Sequence, residues 1–131
     1  DPALPDVQSV TSSGQPRDNR LRWITDYQAE SGGQTHAERP KLVKLDDDSY
    51  VVLWERWDAG NAFAGTWGMI IDAAGETLVA PAMLTDSHLH RGDDAFAIGG
   101  EAAWITGDAT AQALHVHVVD ATLAYRRAVV E

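Results

Sequence analysis

Apolar residues between Pro40 and Leu84 fall into four short runs with turn residues between them, PKLVKLDDDSYVVLWERWDAGNAFAGTWGMIIDAAGETLVAPAML. Lys41 to Leu45 is the first run, closed by the acidic turn Asp46-Asp47-Asp48. Ser49 to Trp57 is β-branched and aromatic along its length, which is strand chemistry. Period-2 geometry puts Val52 and Trp54 on one face and Val51 and Leu53 on the other, so both faces are expected to be buried. Trp67 to Asp72 is the third run. The turn Asp72-Ala73-Ala74-Gly75 supplies a residue that tolerates positive φ, and the chain returns as Glu76 to Ala80. Pro81 suits an edge strand or a strand end, where no N–H is required.

The pattern outside this stretch is less dense. Residues Asp1 to Asn19 are polar, rich in Pro, Ser and Gly, and read as an extended arm, with room for one short strand at Val7 to Thr11. Arg20 to Tyr27 alternates and is expected to be a strand, and Gln28 to Arg39 a long polar loop. Thr85 to Asp93 is a second polar loop. Asp94 to Ile98 and Glu101 to Thr106 flank Gly99-Gly100 as strands, and Leu114 to Asp120 alternates cleanly. Ala124 to Glu131 is a last strand or a frayed tail. Alanines from Ala95 to Ala113 offer a helical reading, but Gly99, Gly100 and Gly107 interrupt it. Nearly all of the chain reads as β.

The two halves echo each other at a period of about 50 residues. Trp54 and Trp104 fall at matching places, as do Ile71-Asp72 and Val119-Asp120, and Trp23-Ile24-Thr25 repeats as Trp104-Ile105-Thr106. Four strands per unit with an interior Trp on the second strand resemble the blades of a bacterial β-propeller repeat protein over Arg20 to Glu131. Trp57-Asp58 lacks the Gly-His partner of a WD40 repeat, and Asp72 to Gly75 has one residue too many for an Asp-box hairpin, so no family's site residues carry over. The resemblance implies one all-β domain over residues 1–131, with an arm at 1–19 and antiparallel four-stranded blade-like units at 20–84 and 85–131. A β-sandwich is the alternative. A ring needs about four blades or more, so the blade reading implies completion by homo-oligomerisation or by a second chain of the same precursor.

Composition changes this picture only at the margins. With 131 residues, 44% hydrophobic and 23% charged, the chain can bury a core without staples, and no cysteine is present for disulfides or thiolate metal sites. A net charge of −10 argues against duplex nucleic acid and anionic membrane as partners. No apolar run approaches the roughly 18 residues of a membrane span. The start, Asp1-Pro2-Ala3, has no initiator Met and no signal peptide. A mature exported protein, periplasmic or secreted, or a fragment of a longer one is expected.

Candidate chemistry sits between the strands. His88 and His90 form one HxH pair and His115 and His117 another; alternate positions project to one side, so each pair is a candidate copper or zinc ligand set, with Asp86, Asp93 and Asp94 near in sequence. Trp57, Trp67, Asp58, Asn61 and Arg56 surround Asp58 to Thr66, where aromatic faces and polar groups would suit a carbohydrate. Trp54, Trp104 and Trp23 are expected to be core instead. Asp46 to Asp48 lacks the alternating ligands and closing Glu of a calcium loop, and Arg91-Gly92-Asp93 is explained by turn chemistry. No GxSxG, Cys nucleophile or phosphate loop occurs. The sequence therefore reads as a non-enzymatic binding or assembly module that completes a larger β structure and binds carbohydrate or protein through its loops. The alternatives are an exported metal-binding protein and an enzyme subunit whose catalytic residues lie partly on another chain.

Overall fold

The structure, a computed structural model, describes Ile24, Thr25, Tyr27 and residues 34–131. The arm at 1–19, the rest of the Arg20 to Tyr27 segment including Trp23, and residues 28–33 lie outside the described residues; Ile24, Thr25 and Tyr27 are in no strand, contrary to the strand expected there. The described elements are eight strands: β1 (His36–Lys44), β2 (Tyr50–Asp58), β3 (Ala62–Ile71), β4 (Thr77–Thr85), β5 (Phe96–Ile98), β6 (Glu101–Asp108), β7 (Ala113–Val119) and β8 (Tyr125–Val130). They form two antiparallel four-stranded sheets, ordered β1-β2-β3-β4 and β5-β6-β7-β8. The protein is all-β, and its two meanders are compatible with blade-like repeats and with a sandwich-like pairing.

Three boundaries differ from the sequence expectation. β1 starts at His36, inside the stretch read as a long loop, because exposed polar residues at a sheet edge carry no apolar alternation. β3 starts at Ala62, so Asp58 to Thr66 is a tight turn followed by strand, not an open loop. β4 runs on through Pro81 to Thr85, as an edge strand allows.

The repeat is visible in hydrogen bonds. Asp72 Oδ1 accepts from the Ala74 and Glu76 amides, both at 2.9 Å; Asp120 Oδ1 accepts from those of Thr122 and Ala124 at 2.8 and 3.0 Å. Each turn carries a positive-φ residue at the same place, Gly75 (83°) in one and Leu123 (66°) in the other. These aspartates satisfy turn amides that the ladders leave free. Part of the chain's acidity is thus turn chemistry.

One core lies between the sheets. Val43, Val51, Leu53 and Ile70 of the first sheet meet Ala102, Trp104 and Val119 of the second, with Leu89 from the β4–β5 connection. On the opposite face of the first sheet, Val52, Trp54 and Met69 pack with Tyr27, whose hydroxyl accepts from Trp54 Nε1 at 3.0 Å. Trp54 and Trp104 are both core, as the pattern required, and each sits on the face of its sheet that looks back toward the preceding chain.

Candidate functional site

Glu55 is fully buried on β2, on the Val51–Leu53 face. Four donors converge on its carboxylate. Oε2 accepts from the Leu89 amide and from His88 Nδ1, both at 2.9 Å, and from Arg39 Nη1 at 3.4 Å; Oε1 accepts from Trp57 Nε1 at 3.3 Å. Arg39 Nη1 also donates to the Leu89 carbonyl at 2.9 Å, and buried Thr66 donates to the Ser87 carbonyl at 2.7 Å. A carboxylate out of water is tolerated only when so satisfied. The polar loop Thr85 to Asp93 is therefore pinned across one end of the sheet, with Leu89 plugged into the core.

Two irregularities in the flanking strands build this arrangement. The β1–β2 register shifts between Glu38 and Lys41, where Arg39 has a φ of 53°, and the Arg39 guanidinium reaches Glu55. The β2–β3 register shifts between Glu55 and Trp57, beside Gly65 at φ 103°. That bulge on β3 sets Phe63 directly opposite Trp57 and Thr66 opposite Glu55, on one face. Without it, strict alternation would put Phe63 on the Trp67 side.

The result is a contiguous aromatic platform. Phe63 and His88 stack at 3.8 Å between centroids and 20° between planes, and Trp57 meets Phe63 edge-on at 5.4 Å and His88 at 5.9 Å. Trp57 and Phe63 are half-buried, and the His88 side chain is 51% exposed. His88 Nδ1 is turned to the Glu55 carboxylate, so Nε2 lies on the far side of the ring. The Trp57 N–H is turned inward to Glu55. Phe63 and Glu55 were not among the sequence candidates for this site; the signal that could have found Phe63 is a glycine, Gly65, inside a strand.

The five residues expected to line one pocket are divided between the two faces of the first sheet and its turn. Trp67 packs on the cluster of Tyr27 and Trp54, and the Arg56 guanidinium is 5.3 Å from the Trp67 ring and 5.2 Å from that of Tyr27. Arg56 Nε donates to Asp58 at 3.1 Å. Asp58 and Asn61 line a shallow cleft with Gln34, His36, Ala59 and Gly60. Trp57 is on the other face, with His88.

The histidines are likewise separated. His88 is held by Glu55 and His90 by Asp93, at 3.1 Å. His115 and His117 do share a strand face, 6.3 Å apart between ring centroids. His117, however, is fully buried, stacked on Trp104 at 4.9 Å, with Nε2 2.8 Å from the Thr106 hydroxyl and Nδ1 2.8 Å from that of Tyr125. Burial, reinforced by His115 and Arg127, pushes its pKa down from 6.5 to about 4. It is a neutral core side chain at neutral pH. Among the described residues no three His, Asp or Glu side chains come together as a metal-ligating group.

Comparison with known protein families, characterised proteins and solved structures finds no match to this chain.

Proposed function

We propose that the chain is a non-enzymatic assembly module, a propeller-like pair of blades whose exposed β5–β8 face is covered by a sheet of a second copy. One observation carries this reading. Matching Trp54 to Trp104 through the ladder registers makes Val43 equivalent to Ile98, Lys41 to Phe96, Glu55 to Ile105 and Thr66 to Val116. In the first sheet these positions face the second sheet and its loop; in the second sheet they face solvent. They are nevertheless apolar: Phe96, Ile98 and Ile105 are 44%, 59% and 43% exposed, and Leu114 and Val130 extend the same face. A monomer seldom leaves so broad an apolar sheet face open.

The occupant follows from continuity with the interface inside the molecule. There, the equivalent face of the first sheet is covered by another four-stranded sheet, and a second copy brings such sheets. Glu101 and Arg126 form a two-point ion pair on the open face, Nη2 to Oε1 at 2.9 Å, so it presents no lone charge there. With both copies carrying −10, association strengthens as salt rises.

Light scattering with concentration series tests this. The parent chain forms dimers or larger species, and Ile98→Glu/Ile105→Glu converts them to monomers without loss of β circular dichroism. A parent that stays monomeric at every concentration and salt level overturns the proposal, as does a doubly charged variant that associates as the parent does.

A further inference from the structure

We infer that the surface covering the open β5–β8 face is the same face of the second copy, so that the chain forms a closed two-fold dimer. This rests on the reading that a second copy covers the face, and it names which of that copy's surfaces does so. Two sheets offer four faces. The Val51–Leu53 face of the first sheet and the Trp104 face of the second are buried against each other. The opposite face of the first sheet is filled at its centre, where Trp54 and Met69 are each 3% exposed and Tyr27 packs on them. The exposed apolar side chains left there, Leu42 and Met83, stand on the two edge strands, with β2 and β3 between them. Among the described residues, only the outer face of β5–β8 is apolar and open on all four of its strands.

The rival arrangement is head-to-tail. Inside the molecule the Val51–Leu53 face receives the Trp104 face, and repeating that step would set the Trp54 face of one copy on the Ile105 face of the next. A heterologous contact of this kind leaves a free end on each copy and grows until a ring closes. Tyr27 stands in its way. Its hydroxyl accepts from Trp54 Nε1 at 3.0 Å, and the Arg56 guanidinium lies 5.2 Å from its ring. An incoming sheet would have to displace Tyr27 and leave the buried Trp54 N–H without its acceptor. Self-pairing of the Ile105 face displaces nothing.

The charge on the open face also suits its own image. Ladder register sets Ile105 beside Val116 and Ala128, and Leu114 beside Val130, an end without charge. Toward the other end stand Glu101 and Arg126, which hold each other by two contacts. A face of one sign repels a copy of itself, but this one carries one acid and one base and is neutral.

Light scattering at low salt tests the arrangement with two complementary variants, Ile98→Glu/Ile105→Glu and Ile98→Arg/Ile105→Arg. Each alone is expected to scatter as a monomer, with its β circular dichroism intact. Mixed in equal amounts they are expected to restore the dimer mass, because the introduced charges meet only if the face meets its own counterpart. The parent, raised in concentration, doubles its mass and stops there. Leu42→Glu, on the Trp54 face, dimerises as the parent does. These last two readouts need no charge on the β5–β8 face. A mixture that stays monomeric overturns the two-fold arrangement, as does a parent mass that climbs past two copies or a Leu42→Glu variant that loses the dimer. Each of those outcomes leaves association through β5–β8 in place. A parent that is monomeric at every concentration overturns the underlying reading as well.

Discussion

The β1–β4 and β5–β8 sheets share strand order, ladder register around Trp54 and Trp104, and the same aspartate turn between third and fourth strands. They differ in what they cover. Among the described residues, the first sheet is packed on both faces, by Tyr27 on one side and the second sheet on the other, and the second is packed on one. At the positions where the first sheet receives a crossing loop it has polar anchors, Glu55 and Thr66. At the equivalent positions the second has Ile105 and Val116. A loop brings unpaired amides and carbonyls that need partners, whereas another sheet brings side chains. The difference therefore says what kind of surface each face is suited to meet.

The sharpest way to break this comparison is to exchange the anchor. Glu55→Ala strands the Leu89 amide, His88 and Arg39 around an empty site and is expected to cost about 3–5 kcal/mol in denaturant unfolding. Ile105→Ala, at the equivalent position, stays within about 0.5 kcal/mol for the dissociated chain. Equal losses at the two positions would remove the distinction between the faces.

Acid should act on the second sheet first. His117 stands where the first sheet has Trp67, each opposite its sheet's Trp. Its folded pKa is lowered from 6.5 to about 4, so the unfolded chain binds more protons across that window. Stability is full above pH 6.5 and falls as pH drops toward about 4, by up to roughly 3 kcal/mol. The groups around the ring are Trp104, Thr106, His115, Tyr125 and Arg127. Urea unfolding at several pH values should show this slope, and His117→Gln should flatten it; an unchanged slope in the variant assigns the acid effect elsewhere.

Truncating equivalent apolar positions gives a smaller contrast. Val43, 5% exposed, loses about 2 kcal/mol on change to Ala, while Ile98, 59% exposed, loses about 0.5 kcal/mol in the monomer. If a second copy covers the face, the Ile98→Ala loss grows with protein concentration, which melting at increasing concentration reads directly.

The smallest effect lies in the turns. Gly75→Leu forces a side chain into positive φ at a cost of about 1 kcal/mol. Leu123 already bears that strain, but it packs against the core, within reach of Gly68. Leu123→Gly therefore loses packing faster than it gains relief, a net loss of about 1 kcal/mol by thermal melting. A stabilised Leu123→Gly variant would show that the side chain contributes little to the core.

Period-2 alternation and turn residues were enough to read strands from Lys41 to the C-terminal run, the echo of Trp54 in Trp104, and the matching Asp72 and Asp120 turns. Alternation fixes which residues share a face, because successive Cβ atoms point to opposite sides. It does not reach across a bulge, and the extra residue at Gly65 moved Phe63 to the Glu55 side and left Trp57 and Trp67 on opposite faces. Nor does it say which face another sheet will cover, since burial depends on contacts distant in sequence. The sequence thus determined the repeating strand-and-turn unit. Only the tertiary structure decided that Glu55 is enclosed, that His117 is a buried neutral ring rather than an available ligand, and that Ile98 and Ile105 stand in the open where Val43 and Glu55 do not.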